Sequence, residues 1–136
     1  MQSLDLADFL VLAEAVTGLH ASDLANAKHV VARAESALAA PFAEFGGAEM
    51  YDGLVTKAAI LCSRLLRNHP LPDGNKRVAY LCMIELIRRN GADWRPVAGD
   101  GERAAMVERL AARDIDEWHF AAWLAGQVVL VRERTT

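Results

Sequence analysis

Residues 68–80, NHPLPDGNKRVAY, join two long apolar stretches, and this junction constrains the chain more than any other part of it. Pro70 and Pro72 lack amide hydrogens and fix their own backbone angle, so the helix before them has to stop. The next helix opens with Lys76 and Arg77, where aligned peptide dipoles already make the backbone electropositive. A cation there costs a few tenths to about 1 kcal/mol. The same helix closes on Arg88 and Arg89, where cations are favourable. One end obeys the dipole rule, and the end that breaks it also carries His69, Asp73 and Asn75.

Apolar residues recur at helical spacing through almost the whole chain. Leu4 to Val16 aligns Leu6, Phe9, Leu10 and Ala13 on one stripe, with Gly18 as the stop. Asp23 to Ala39 reads as one alanine-rich helix, with Ser22 as its N-cap and Pro41 beyond its end. Residues 41–50, PFAEFGGAEM, are the least helical; Gly46-Gly47 permits a tight reversal, and a short hairpin is expected. Tyr51 to Arg67 is helical again, with Leu54, Ala58, Leu61, Cys62 and Leu65 as its apolar face.

The helix from Asn75 contains Val78 to Ile84, apolar in every direction, which predicts a central, buried position. Gly91 is placed for a left-handed cap. ADWRPVAGDG reads as a loop and Glu102 to Ala112 as a short amphipathic helix. Asp116 is expected to cap a last helix, Glu117 to Val131, burying Phe120, Trp123 and Leu124. These elements predict an all-α bundle of about six helices around the one that begins near Asn75, as a single domain over residues 1–136.

Composition excludes several classes of function. Hydrophobic residues make up 53% and charged residues 24%, a globular balance. A net charge of −3 argues against nonspecific binding to nucleic acid or to an anionic membrane. The N-terminus shows no basic, apolar signal pattern, and the longest apolar run falls far short of a membrane span. Cys62 and Cys82, each beside apolar neighbours, are expected to be buried free thiols, which points to a reducing cytoplasm. His20, His29 and His119 have no partners at metal-like spacing, and Trp118 and Trp123 read as packing residues. Arg64 and Arg67 could reach a phosphate at the junction, but a solvated face is the favoured account of them; Glu85 is placed to pair with Arg88 or Arg89.

The junction itself admits an ordinary turn in which Asp73 or Asn75 caps the next helix. Its residue types also assemble a second reading. An anion at the helix start would turn Lys76 and Arg77 into binding groups, acting together with the backbone N–H groups and the dipole. Arg77 could hold phosphate oxygens bidentately, with Lys76 as a point charge. Gly74 allows the backbone a close approach. Asp73 could bridge to Mg²⁺, which commonly takes one or two carboxylates and fills its octahedron with phosphate oxygens and water. His69 could take a proton from an attacking hydroxyl, because imidazoles ordinarily titrate near neutral pH. A base, a metal-binding carboxylate and an anion cradle are the parts that phosphoryl or nucleotidyl transfer requires.

His69-Pro70-Leu71-Pro72-Asp73-Gly74-Asn75-Lys76-Arg77 resembles the Fic/Doc signature H-x-F-x-[D/E]-[A/G]-N-[K/G]-R, in the same place between two helices. The resemblance runs over most of the chain and favours the Doc (death-on-curing) branch. Lys76 stands where AMP-transferring Fic proteins have a second glycine, and Tyr80 where many have a second arginine. Leu71 in place of phenylalanine, and Gly74 in place of the alanine common in Doc proteins, depart from the pattern.

The resemblance implies a Fic/Doc-type helical bundle and a kinase-like toxin. Such a toxin moves the γ-phosphate of ATP to a Ser or Thr hydroxyl of elongation factor Tu and arrests translation. His69 would then be the base and Asp73 the Mg²⁺ ligand, with Asn75, Lys76 and Arg77 at the phosphates. Pro41, Phe42, Phe45, Gly46 and Gly47 would belong to a flap that pairs with the target's main chain. The chain has no [S/T]-x-x-x-E-[G/N] self-inhibitory string, and neither Glu44 nor Glu49 fits one. An antitoxin supplied as a separate chain, with a partly disordered segment that folds on binding, is therefore expected. Nucleotidyl transfer of the Fic type and a nonenzymatic helical interaction domain are the competing readings.

Overall fold

The structure, a computed structural model, describes residues 1–130. Its helices are α1 (Leu6–Thr17), α2 (Ala21–Ala25), α3 (Lys28–Ala39), α4 (Leu54–Asn68), α5 (Asn75–Arg89), α6 (Asp100–Ala111) and α7 (Glu117–Ala125). Two small antiparallel pairs accompany them: β1 (Glu44–Phe45) with β2 (Ala48–Glu49), and β3 (Ala92–Trp94) with β4 (Val128–Leu130). The expected mostly helical bundle is what forms.

α1 starts on a reciprocal cap. The Asp5 side chain accepts from the Asp8 N–H, and the Asp8 side chain accepts from the Asp5 N–H, each at 2.9 Å. Gly18 ends the helix in the left-handed region. Asp8 also receives Arg89 of α5 at 2.6 and 3.1 Å, and Glu85 joins the same guanidinium at 3.2 Å. The Arg89 hydrogen bond holds the Asp8 carboxyl down at about 2, against the opposing pull of desolvation.

The single helix expected from Asp23 to Ala39 is two. Asn26 donates its side-chain N–H back to the Ser22 carbonyl at 3.0 Å, and Ala27 is extended, so α2 stops and α3 begins afresh. Ser22 therefore lies inside α2, whose N-cap is His20. The kink lets Leu24 and Val30 both face the core.

α4 and α5 share the middle of the bundle. α4 is buried on every side from Lys57 to Ser63. α5 buries Val78, Ala79 and most of Cys82 to Ile87 but leaves Leu81 38% exposed, so the run Val78 to Ile84 is not enclosed all round. Both cysteines are free and buried, and burial pushes both thiols well above their ordinary value.

After α5 the chain departs further from expectation. Part of the expected loop, Ala92–Trp94, pairs with Val128–Leu130. The last helix ends at Ala125, not Val131, which lies outside the described residues. Gln127 is the cause. Its Oε1 accepts from the N–H groups of Val97 and Ala98, each at 2.9 Å, and its carbonyl accepts from Arg95 at 3.0 Å. Trp118 is exposed beside Tyr51, while Trp123 is half-buried against Phe120 and donates to Glu102 at 3.1 Å.

The hairpin predicted between α3 and α4 forms, turning on Gly46 and Gly47, both at positive φ. Pro41 and Phe42 are not in it; with Ala40 they form a 3-10 turn beneath it, Pro41 buried and Phe42 half-buried. A lysine holds the hairpin down. Lys57, only 1% exposed, donates to the Tyr51 carbonyl, pairs with Glu49 at 3.3 Å and lies 5.6 Å from the Phe42 ring centroid. One of its three contacts, Glu49, is in β2, and the other two, Phe42 and Tyr51, flank the hairpin on either side.

The α4–α5 junction is bracketed by two left-handed residues, His69 at φ 47° and Gly74 at φ 81°. Leu71, 2% exposed, plugs the loop into the core, so a leucine suffices where the signature has phenylalanine. The Asn75 carboxamide closes the loop: its Nδ2 donates to the Leu71 carbonyl at 2.8 Å, and its Oδ1 accepts from the Leu71 N–H at 3.0 Å.

Three measurements test this account. Asn75→Ala leaves two buried main-chain groups of Leu71 unpaired and should cost about 2 kcal/mol or more in denaturant unfolding. Asp8→Asn should cost about 1 kcal/mol at neutral pH. Because the folded carboxyl is depressed, that difference should shrink as pH falls from 4 through about 2, and is smallest only below 2, where the parent carboxyl is protonated in the folded and unfolded states alike. Lys57→Met should change global stability little, since a buried ion traded for an apolar side chain is often near neutral. It should nevertheless speed amide exchange at Met50, whose N–H bonds the Ala43 carbonyl across the hairpin, by about tenfold relative to α4 amides.

Candidate functional site

The site is built by the junction. His69 is the C-cap of α4, and its left-handed backbone leaves the imidazole exposed beyond the helix end. Five residues later the N-terminus of α5 faces the same space. The first intrahelical bond of α5 is donated by the Val78 N–H to the Gly74 carbonyl at 3.0 Å. The N–H groups of Asn75, Lys76 and Arg77 precede that ladder and have no partner within the helix. A cleft of about 500 Å³ lies over them, lined by His69, Asp73 and the whole run Gly74 to Arg77, with Leu66 and Ala111 as its apolar sides.

The structure therefore brings together His69, Asp73, Gly74, Asn75, Lys76 and Arg77, and their charges separate into two kinds. The Lys76 Nζ is 2.7 Å from Glu108 on α6, an ion pair that explains why a lysine is tolerated at a helix start. Among the described residues, Arg77 has no carboxylate within ion-pair distance. Arg77 and the open N–H groups are thus the uncompensated positive charge of the cleft. Asp73 is exposed at its rim.

Gly74 has to be glycine for two reasons. Its backbone is left-handed, and a Cβ there would stand 3.0 Å from Thr17 Cγ2 and 3.4 Å from Val16 Cγ1. Asn75 lines the cleft, but its carboxamide is engaged with Leu71, so it shapes the loop directly. Among the described residues no three His, Cys, Asp or Glu side chains gather as a metal cage. One exposed carboxylate beside an anion cradle suits a divalent ion that arrives on phosphate oxygens.

Two expectations find different neighbours. Arg64 and Arg67 neither reach the cleft nor stand free in solvent. Arg64 donates to Glu117 at 2.9 Å and to the Tyr51 hydroxyl at 2.8 Å, and Arg67 lies 3.8 Å from Glu117. Burial opposes the Glu117 carboxylate, but Arg64, Ser63 and Arg67 outweigh it and hold the carboxyl below its ordinary value. The hairpin residues Phe45, Gly46 and Gly47, like Pro41 and Phe42, line none of the clefts that border the junction. Their anchor, Lys57, is in the first turn of α4, whereas His69 is at its far end, about 18 Å along the axis. Glu108 and Ala111 were not legible as site residues, because nothing in the sequence aligns α6 with a loop thirty residues earlier.

The sequence model of the Fic/DOC family matches residues 3–87. The chain is 36% identical over 92 residues to the Toxin Doc of Mycolicibacterium smegmatis, an alignment covering 68% of this chain and 71% of that protein. No solved structure matches the chain at a significant level. The matched span contains α1 to α4, the whole junction and α5 as far as Ile87, and with the signature from His69 to Arg77 standing over an open cleft, the chain belongs to the Fic/DOC family.

Proposed function

We propose that this protein is a Doc-type toxin, a phosphotransferase that moves the γ-phosphate of ATP to a Ser or Thr hydroxyl of a protein. The observation that carries the reading is the cleft in which an exposed imidazole faces an uncompensated arginine and a row of open helix N–H groups. The similarity to a protein named Toxin Doc supports the biological half.

In this reading Arg77 and the N–H groups of α5 bind the phosphates and oppose the charge that gathers on them. Lys76 supplies a second cation, steered by Glu108. Asp73 would hold Mg²⁺, which supplies charge neutralisation between phosphate oxygens when bound. His69 takes the proton from the acceptor hydroxyl as its oxygen bonds to phosphorus and the bridging oxygen leaves with ADP. Pro70, Leu71 and the Asn75 clamp keep the base and the cradle at a fixed separation.

The family resemblance makes elongation factor Tu the first acceptor to try, with translation arrest as the consequence. The exposed edges of the β1–β2 hairpin would take a target strand by main-chain pairing. Action in the cytoplasm is part of the same reading; among the described residues no helix is long and apolar enough to cross a membrane. Arg77, the motif arginine, is not tied up by a carboxylate of its own chain among the described residues, so restraint is assigned to an antitoxin chain.

ATP labelled in the γ position, with Mg²⁺ and cell extract, should transfer label to one protein band. Label arriving only from the α position would overturn the kinase reading in favour of nucleotidyl transfer. His69→Ala should reduce transfer by about 100-fold or more and abolish growth arrest. Arrest undiminished in that variant would make catalysis irrelevant and leave a binding domain.

A further inference from the structure

His69 is shared by two of the clefts around the junction. Besides the anion cleft it lines one of about 460 Å³, walled by α3 and by Pro70 to Pro72. We infer that this second cleft is the acceptor subsite, and that Arg33, aided by His29, selects an acceptor segment carrying an aspartate or glutamate close to its Ser or Thr. The inference rests on the phosphotransferase reading and adds the chemistry of the protein substrate to it.

The argument begins with the direction of attack. In phosphoryl transfer the attacking oxygen approaches opposite the leaving oxygen, and the base has to touch the attacking hydroxyl. Phosphates held by Arg77 and the α5 N–H groups occupy the first cleft, so the segment that carries the hydroxyl has to lie on a surface that meets this cleft at His69, as the α3 cleft does through His69 and Pro72. A third cleft, near Thr17 and Leu19, borders Asp73, Gly74 and Arg77 but not His69. Of the two clefts beside the anion cleft, the α3 cleft is the one that opens onto the base.

The lining supplies the specificity. It contains Arg33 and His29 as well as His69, and no carboxylate. Arg33 has no carboxylate within ion-pair distance among the described residues. The chain as a whole is net negative, which makes a cleft with three basic side chains and no acid a local exception. Its floor is apolar: Val30 and Leu71 are each 2% exposed. A segment with one apolar side chain and one carboxylate fits this surface. Arg33 is also registered to the base, because the Asn68 side chain, next to His69, donates to the Arg33 carbonyl at 3.0 Å.

The test is labelling of cell extract with γ-labelled ATP and Mg²⁺ at a series of extract concentrations, using parent, Arg33→Glu and Arg33→Lys, with ATP binding measured separately by calorimetry. Arg33→Glu should raise the extract concentration for half-maximal labelling about tenfold and leave ATP affinity within about twofold, while Arg33→Lys should stay within about threefold of the parent. Unchanged half-saturation in Arg33→Glu overturns the subsite, as does an equal loss of ATP affinity. Normal labelling with lost antitoxin neutralisation overturns it too, and assigns the cleft to that partner. Absence of transfer by the parent refutes the phosphotransferase reading itself and the subsite with it, whereas transfer by parent and Arg33→Glu alike refutes the subsite alone.

Discussion

Two hydrogen bonds between the Asn75 carboxamide and the main chain of Leu71 hold the molecule's working part in shape. They close residues 71–75 of a proline-rich connection into a ring; Gly74, left-handed within it, and His69, left-handed just before it, aim the start of one helix and the end of another at the same space. Without the ring, the imidazole and the α5 N–H groups would belong to two independent helix ends. Rigidity comes from below: Leu71 is sunk in the core, and α4 and α5 pack along their length. The exposed charges can then be few, because their separation is already fixed.

Much of this was legible because local chemistry and tertiary structure agree. Gly18 ends α1, the prolines end α4, and Gly46-Gly47 reverse the hairpin, each for a reason that acts within a few residues. The signature made the junction recognisable before any geometry was available. What stayed hidden depends on partners far along the chain. Gln127 ends α7 by bonding Val97 and Ala98, and β3 exists only because β4 returns to it. Asn26 breaks an alanine-rich helix with a side-chain bond that costs little and wins because the kink buries Leu24 and Val30 together. Arg64 looked free because Glu117, its partner, lies fifty-three residues away.

The family match ends at residue 87, yet the later residues complete the site. α6 brings Glu108 to Lys76 and Ala111 to the wall of the anion cleft. α7 brings Glu117 to Arg64 and Arg67 and so fixes two guanidiniums away from the cleft.

Cys62 and Cys82 have a practical corollary. Both sulfurs are sealed in the interior, and the Cys82 thiol is pushed up to about 12, so neither supplies thiolate to a reagent in neutral solution. The native chain is in effect a blank background for alkylation chemistry. A single sulfhydryl introduced at Phe45, which is 83% exposed at the hairpin, would accept a spin label or fluorophore alone and turn that finger into a reporter of docking.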